Sequence, residues 1–447
     1  MSTRTLGSIR PCLEGAIPAV MATVNAADGL PNVAYISQVY YVDERHVALS
    51  FQFFNKTRKN ILGNPYASLL VLHPVTAEFF RLHLRYLRTE TAGPLFEGMK
   101  AQLAGIASHT GMASVFRLLG SDVYEVLEID EVAGAALPQP PTRCGLLTAL
   151  RHCSERLSRC TALDELLNTT LSSLTDAMGI HHAMVLMLDP VTQRLYTVAS
   201  TGYATSGVGA EIDMGDGVIG MAARERTPVR IMHMTSAYLY SRAVRSSLCA
   251  DAPGLALDTE IPYPGLSEPH SQLAVPVLSA GSLLGVLFVE SPLDLQFSFE
   301  DEDVLVAVAG HLGAAIHLMQ SAAEATDAEL SAPPAPVLSG ATIQVRHFSA
   351  NNSIFINGVY LIKGVAGAIF WKLVSDYVQQ GRTEFSNREL RLDPALGLPD
   401  VTDNLDARLL LLQRRLLEHG AQIQTQKTGR GRFRLTVQRP LELVEVA

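Results

Sequence analysis

Two stretches of the sequence concentrate basic and hydroxyl side chains at spacings that could do chemistry. The first is Lys56-Thr57-Arg58-Lys59, which follows the β-like run 46–51 and opens a helical stretch, 56–63, closed by Asn64-Pro65. A phosphate needs backbone N–H donors at a helix N-terminus, a cation and a hydroxyl. Lys56 and Thr57 are placed to supply the last two, although the same residues also suit a solvated basic turn. The second lies in the last hundred residues. If 400–418 is a helix, 100° per residue gathers Leu405, Leu409, Leu412 and Leu416 into an apolar stripe. Asn404, Arg408 and Arg415 then cluster on one exposed side, and Arg414 points more directly outward. Arginine to guanine and asparagine to adenine are the commonest direct readings of the DNA major groove. Arg414 suits a phosphate, and Lys427, Arg430 and Arg432 beyond the helix suit the backbone or minor groove. Leu411 departs from this pattern, since it falls on the exposed side. A face for protein contacts, with solvated arginines, is the alternative.

The charge distribution favours the nucleic-acid reading. The chain of 447 residues has net charge −9, but residues 341–440 hold 14 Lys and Arg against 8 Asp and Glu. That +6 segment sits on a body of −15, as a basic binding module on an acidic sensor would. With 48% apolar and 18% charged residues, the chain can bury large cores and is not of disordered composition. Five cysteines without CxxC spacing (Cys12, Cys144, Cys153, Cys160, Cys249) predict reduced thiols and a cytoplasmic protein. The longest apolar stretch, 273–289, is broken by Pro276, Gly281 and Gly285, which predicts two buried strands around a turn and no membrane span.

Composition breaks at 132–141 (Ala/Pro-rich) and 331–340 (three prolines) divide the chain into domains over 1–135, 143–325 and 341–440, with 326–340 as a linker. The first part alternates short β-runs with turns around inserted helices at 56–63 and 95–107, a β-barrel pattern. The second opens with a helix over 146–178, continues through five strands and closes with a helix that Ser298 and Asp301 can cap. The third begins with strands, passes through three helices and ends in two strands.

The run 50–65 resembles the pyridoxamine 5′-phosphate oxidase-like, FMN-binding split barrels. The resemblance implies FMN or a related flavin beside Ser50 and Phe51, the strand 34–37 along its ring, Lys56 and Thr57 at its phosphate, and Asn60 reaching its polar edge. His83, Arg85 and Arg88 are further candidates for the pocket. Those oxidases close their substrate site with a Trp- and Arg-rich C-terminal segment. This barrel lacks one, and the sole tryptophan is Trp371. Gly215-Asp216-Gly217-Val218-Ile219-Gly220, Thr227-Pro228-Val229 and the hairpin 273–287 resemble a GAF domain. That implies a small-molecule pocket whose variable part, 232–270, holds Tyr238, Tyr240, Arg242, Arg245, Cys249 and His270, with arginines suited to an anion and a histidine to haem. Nothing in the pattern fixes the ligand. Val304, Val308, His311, Ala315 and Leu318 fall at 3–4 spacing, as in the helix seam of a homodimer or a plain core face.

Asn357-Gly358, Ser386-Asn387-Arg388-Glu389-Leu390 and Thr428-Gly429-Arg430-Gly431-Arg432-Phe433 resemble the winged helix of OmpR-type response regulators, with 400–418 as the recognition helix. The expectation is a multidomain α+β protein: a split β-barrel, then a GAF α/β/α sandwich, then a winged helix. It would be a sensor and DNA-binding transcriptional regulator. A flavin-dependent oxidoreductase with regulatory domains is the competing class. No metal cluster, phosphate-binding loop or nucleophile–base constellation supports other catalysis.

Overall fold

A computed structural model describes residues 4–14, 17–52, 56–109, 118–137, 145–232, 261, 263–323, 341–394, 396, 405–420, 422–429 and 431–446. Asn404, Arg430, Cys144, Cys249 and the variable-region residues Tyr238, Tyr240, Arg242 and Arg245 lie outside these.

The alternation of the N-terminal runs produces seven strands: β1 (Ala19–Val24), β2 (Pro31–Ile36), β3 (Val39–Asp43), β4 (His46–Phe51), β5 (Tyr66–Leu72), β6 (Phe79–Glu90) and β7 (Gly120–Val132). They form one antiparallel sheet in the order β2-β1-β5-β6-β7-β4-β3. Its inward residues (Met21, Leu49, Leu69, Leu82, Tyr124) enclose a core sealed by the 3₁₀-helix Gly7–Leu13. Helix α1 (Lys56–Gly63) packs on β1 and β2. Helix α2 (Pro94–His109) packs Phe96, Met99 and Leu103 on Ala48 of the barrel and reaches the central domain with its other side.

The central domain is a six-stranded antiparallel sheet, β10-β9-β8-β13-β12-β11. It comprises β8 (His182–Asp189), β9 (Arg194–Thr201), β10 (Glu211–Asp213), β11 (Val229–Ile231), β12 (Ser271–Ser279) and β13 (Ser282–Ser291). The expected hairpin 273–289 is thus β12–β13. The expected single helix 146–178 is two, α3 (Leu146–Leu157) and α4 (Leu163–Met178), separated at the turn around Cys160-Thr161. On the other face lies α5 (Gly217–Glu225). The long α6 (Phe299–Ala323) begins at the expected capping box: the Asp301 N–H donates to Ser298 Oγ at 3.3 Å, and Ser298 returns two bonds to the Asp301 carboxylate. One span, Phe299–Gln320, is long and apolar enough to cross a bilayer by composition, but it lies on β12 and inserts Leu305, Val308, Leu312 and Ile316 into the domain core. Val304 and Val308 are therefore core residues of their own chain. Of the expected seam, His311 is exposed and hydrogen-bonds Ser154, while Leu318 is 68% exposed.

The C-terminal domain runs β14 (Ile343–Phe348), β15 (Ser353–Ile356), β16 (Val359–Ile362), α7 (Gly364–Gln380), β17 (Glu384–Ser386), α8 (Asn387–Leu392), α9 (Leu405–Glu418), β18 (Ile423–Gly429), β19 (Arg432–Val437) and β20 (Leu441–Val446). Asn357 and Gly358 both take positive φ, as the two-residue hairpin between β15 and β16 requires. The boundary at 440 falls short, because β20 pairs in parallel with β14 and completes its sheet. Its β-branched and apolar run Leu-Glu-Leu-Val-Glu-Val suits a strand, which the short length of the tail concealed.

The three domains are joined by desolvated contacts. Ala101 of α2 lies in the core of the central domain, packed with α5. Beside it, the Arg230 guanidinium on β11 is nearly inaccessible and pairs with two carboxylates, Glu302 at 2.7 Å and Glu14 of the barrel. Burial pushes the Glu14 carboxyl up, and the guanidinium opposes that rise. Removing the shared cation leaves the buried Glu14 and half-buried Glu302 carboxylates against each other, with Arg10 still beside Glu14 at 3.2 Å. Arg230→Met should therefore lower stability by about 3–5 kcal/mol, read as an earlier denaturant midpoint of the full chain. A change under about 1 kcal/mol would show that this joint carries little.

Candidate functional site

A cleft of about 590 Å³ opens on the barrel between β2, β4, β7 and α1. Ser50, Phe51 and Gln52 come from the end of β4, Tyr35, Ile36 and Ser37 from β2 and its turn, Thr57 and Arg58 from α1, and Asp122 and Tyr124 from β7. The period of two sends alternate strand residues inward, so the neighbouring strands β4 and β7, paired Leu49 to Asp122, build one continuous wall.

The structure brings Ser50, Phe51 and Thr57 together in this cleft as the sequence predicts, with 35–37 along its side. The Thr57 hydroxyl accepts from Asn32 Nδ2 at 2.9 Å. Two expected residues are elsewhere. Asn60 does not line the cleft: it is buried against β1, and its amide donates to Thr23 at 3.1 Å, tying α1 to that strand. Lys56 points to solvent, at the first position of the helix. His83, Arg85 and Arg88 also face outward, in ion pairs with Asp130, Glu125 and Glu90.

The residue that sequence reasoning undervalued is Arg58. It is the cation of the cleft wall, where it lies against the Phe51 ring at 4.5 Å and the Tyr86 ring at 5.4 Å. Its Nη1 reaches both Asp122 oxygens at 2.6 Å, and its Nη2 donates to Thr89 at 2.7 Å. Burial pushes the Asp122 carboxyl up, and Thr89 and Arg58 oppose the rise. The helical spacing held the signal: Thr57 and Ile61 are four apart on the inward face, and Arg58 flanks them. Gln52 is also buried in the wall. Its Oε1 has no partner, while its Nε2 is 3.5 Å from Ser50 Oγ. A buried carbonyl without a donor is an open acceptor for a ligand N–H.

The second candidate site, α9, is placed differently from the sequence expectation. Leu405, Leu412 and Leu416 face their own domain, as expected. Arg408, expected on an exposed face, is only 4% accessible and pairs with Asp189 at the end of β8 at 2.9 Å. Arg414 donates to the Val198 carbonyl at 2.6 Å and to Asn168 on α4 at 2.9 Å. Arg415 turns back onto its own domain, to the Leu361 carbonyl at 3.0 Å and Glu418 at 2.6 Å. The physical reason is visible in Leu411. It looked misplaced on an exposed side, but it is 6% exposed because the central domain covers that side. Gly209 of the central domain lies against Leu411 and Arg415; its φ of +90° and the close Ile261 side chain, which a Cβ would meet at 2.6 Å, favour glycine there. Lys427 on β18 stays exposed, and with Arg432 it borders a groove between α9 and the ends of α4 and α6.

Burial alone would raise the Asp189 carboxyl. Arg408 and the N–H groups of the following turn outweigh it and hold the group below the usual carboxylate range. A carboxylate with a depressed pKa in the docked state contributes fully above its free value, and the contribution is lost as pH falls through the docked value. Docking of α9 should therefore loosen in acid. At neutral pH, Asp189→Asn should speed hydrogen exchange across 405–418 about tenfold or more, since a charge-assisted bond contributes about 1.5–3 kcal/mol. Unchanged exchange would remove this pair from the docking.

Comparison with known proteins agrees with the first two domains. The pyridoxamine 5′-phosphate oxidase family matches residues 7–120, and the GAF domain family matches residues 160–317. A pyridoxamine phosphate oxidase-like domain and a GAF domain are thus present in the chain, and neither match reaches the C-terminal domain. Among solved structures, the GAF domain of an Acinetobacter phosphoenolpyruvate-protein phosphotransferase is 23% identical, covering 39% of this chain and 94% of that one, with a TM-score of 0.32. The free methionine-R-sulfoxide reductase of Neisseria meningitidis, solved with its substrate, is 21% identical over 40% and 91%, with a TM-score of 0.31. An FMN-binding protein of Syntrophomonas wolfei is 19% identical over 29% and 90%, with a TM-score of 0.23. No curated protein matches the chain significantly.

Proposed function

We propose that this protein is a ligand-responsive regulator. A flavin in the barrel cleft and a small molecule in the GAF domain would bias a C-terminal winged helix that binds DNA. The observation that carries the reading is the attachment of α9 to the GAF domain through Arg408–Asp189 and Arg414–Asn168. A helix held this way responds to any ligand that shifts the strands and helix it leans on.

For the flavin, the fit rests on the cleft wall. The unpartnered Gln52 carbonyl suits the imide N–H of an isoalloxazine ring, and Phe51 and Tyr35 offer apolar and aromatic surface beside it. Bound there, a flavin would supply redox chemistry, while Ser50, Gln52 and Thr57 would hold it in place. Absorption bands near those of free flavin, or quenching of added flavin fluorescence at micromolar protein, would support this arm. Their absence would end it.

For DNA, the support is the arrangement of α9 before the β18–β19 hairpin, together with the net positive charge of this segment. Lys427 and Arg432 are the backbone contacts we propose, with Arg408, Arg414 and Arg415 engaging DNA only once α9 leaves the GAF domain. Asn404 and Arg430 complete the proposed set. Exposed apolar residues on the paired helices α3 and α6 (Leu147, Val306, Leu318) support a homodimer, which would present two such modules. Lys427→Ala should weaken binding to all duplex sequences alike and lower the salt slope by about one unit. Full-length protein that shows no salt-dependent affinity for duplex DNA, even with Asp189→Asn, would overturn the DNA arm and leave protein contacts as the role of this domain.

A further inference from the structure

The cation of the barrel cleft comes with its own anion. Arg58 is the one cationic side chain among the described residues that line the cleft, since Lys56 and Lys59 point to solvent. Its partner is no mobile surface acid. Asp122 sits in the middle of the sheet, with its backbone paired to Leu49 on one side and to Thr89 on the other. The ion pair is 12% and 9% exposed at its two side chains. Thr89 donates to the same carboxylate, the Tyr86 hydroxyl meets Thr89 at 2.7 Å, and the Phe51 and Tyr86 rings flank the guanidinium. These groups hold Arg58 toward Asp122.

We infer that Asp122 sets the charge of the ligand: the cleft takes a flavin without a phosphate, of riboflavin type, in preference to FMN. The inference rests on the flavin reading above and deepens it. A phosphate approaching Arg58 would bring up to two negative charges against a buried carboxylate already bound to the same guanidinium. Two anions sharing one cation in a half-buried site repel each other, and the newcomer also loses its hydration. The phosphate cannot displace Asp122 cheaply either, because a carboxylate fixed in the sheet would be left buried without its partner. The polar residues assigned to the ring and chain of the flavin carry no such charge. Gln52, Ser50 and Thr57 are neutral, and they meet the donors and acceptors of a ring and a ribityl chain equally well with or without a terminal phosphate.

The test is a fluorescence-quenching titration of the full chain with riboflavin and with FMN, in the wild type and in Asp122→Asn. The asparagine keeps the size and most of the hydrogen bonding, so the wall should hold, and circular dichroism checks that it does. Wild-type protein should bind riboflavin more tightly than FMN, and Asp122→Asn should shift the ratio of affinities toward FMN by tenfold or more. Wild-type protein that binds FMN as tightly as riboflavin, or more tightly, would overturn this inference while leaving the flavin reading intact. If it binds neither flavin, both fall together. A ratio unchanged in the variant would remove the role from Asp122. Should the variant fail to fold, the wild-type ratio, and the weakness of inorganic phosphate as a competitor of riboflavin, still decide the matter: competition at millimolar phosphate would show that Arg58 does accept an anion.

Discussion

A guanidinium cannot shed its charge at any ordinary pH, so an arginine carried into a protein interior needs a carboxylate beside it. This chain meets that constraint at three places that shape the molecule. Arg58 finds Asp122 within the barrel wall, Arg230 finds Glu14 and Glu302 where the barrel meets the GAF domain, and Arg408 finds Asp189 where the GAF domain meets α9. Two of the three pairings cross a domain boundary. Each replaces hydration that neither partner can recover without separation, so the joints are coupled to the state of the domains they join. The surface pairs, such as Arg85 with Glu125 or Arg151 with Glu155, carry no such consequence, because water competes for both partners.

The elements themselves were legible because they rest on local rules. Period-two runs gave the barrel strands, Ser298 with Asp301 marked the start of α6, and Asn357-Gly358 marked a hairpin turn that the backbone confirms with two positive φ angles. The apolar stripe Leu405, Leu412 and Leu416 predicted which side of α9 faces its own domain. The site was legible where side chains follow the strand pleat, as at Ser50 and Phe51, and failed one turn into α1. There a helix presents only part of its surface to the cleft, so Asn60 went to β1 and Lys56 to solvent.

The arginines of α9 were misplaced for a different reason. Phase around a helix distinguishes the side that packs on its own domain from the sides that do not. It says nothing about a second domain arriving from elsewhere in the chain. Leu411 was the local trace of that second contact: one apolar residue among arginines, out of register with the stripe. A leucine exposed on a basic face costs hydration, and its presence marks a surface that another part of the chain covers.

Such a surface bears on how the domains communicate. The GAF sheet receives α2 of the barrel and Glu14 at its β11 edge, and it receives α9 at the opposite side, against β8, β9 and α4. Strands β12 and β13 lie between β11 and β8, in a sheet too stiff to bend gradually and packed on both faces. On the proposed reading, a ligand that repositioned β11 would move Arg230 and its two carboxylates as a unit, and one that shifted β8 or β9 would change the ground on which Arg408 and Arg414 are held. Coupling between the ends of the molecule requires only that these buried pairs prefer one arrangement over another. Their intolerance of partial separation provides that preference, because a half-broken buried ion pair is less favourable than either the docked state or the fully hydrated one.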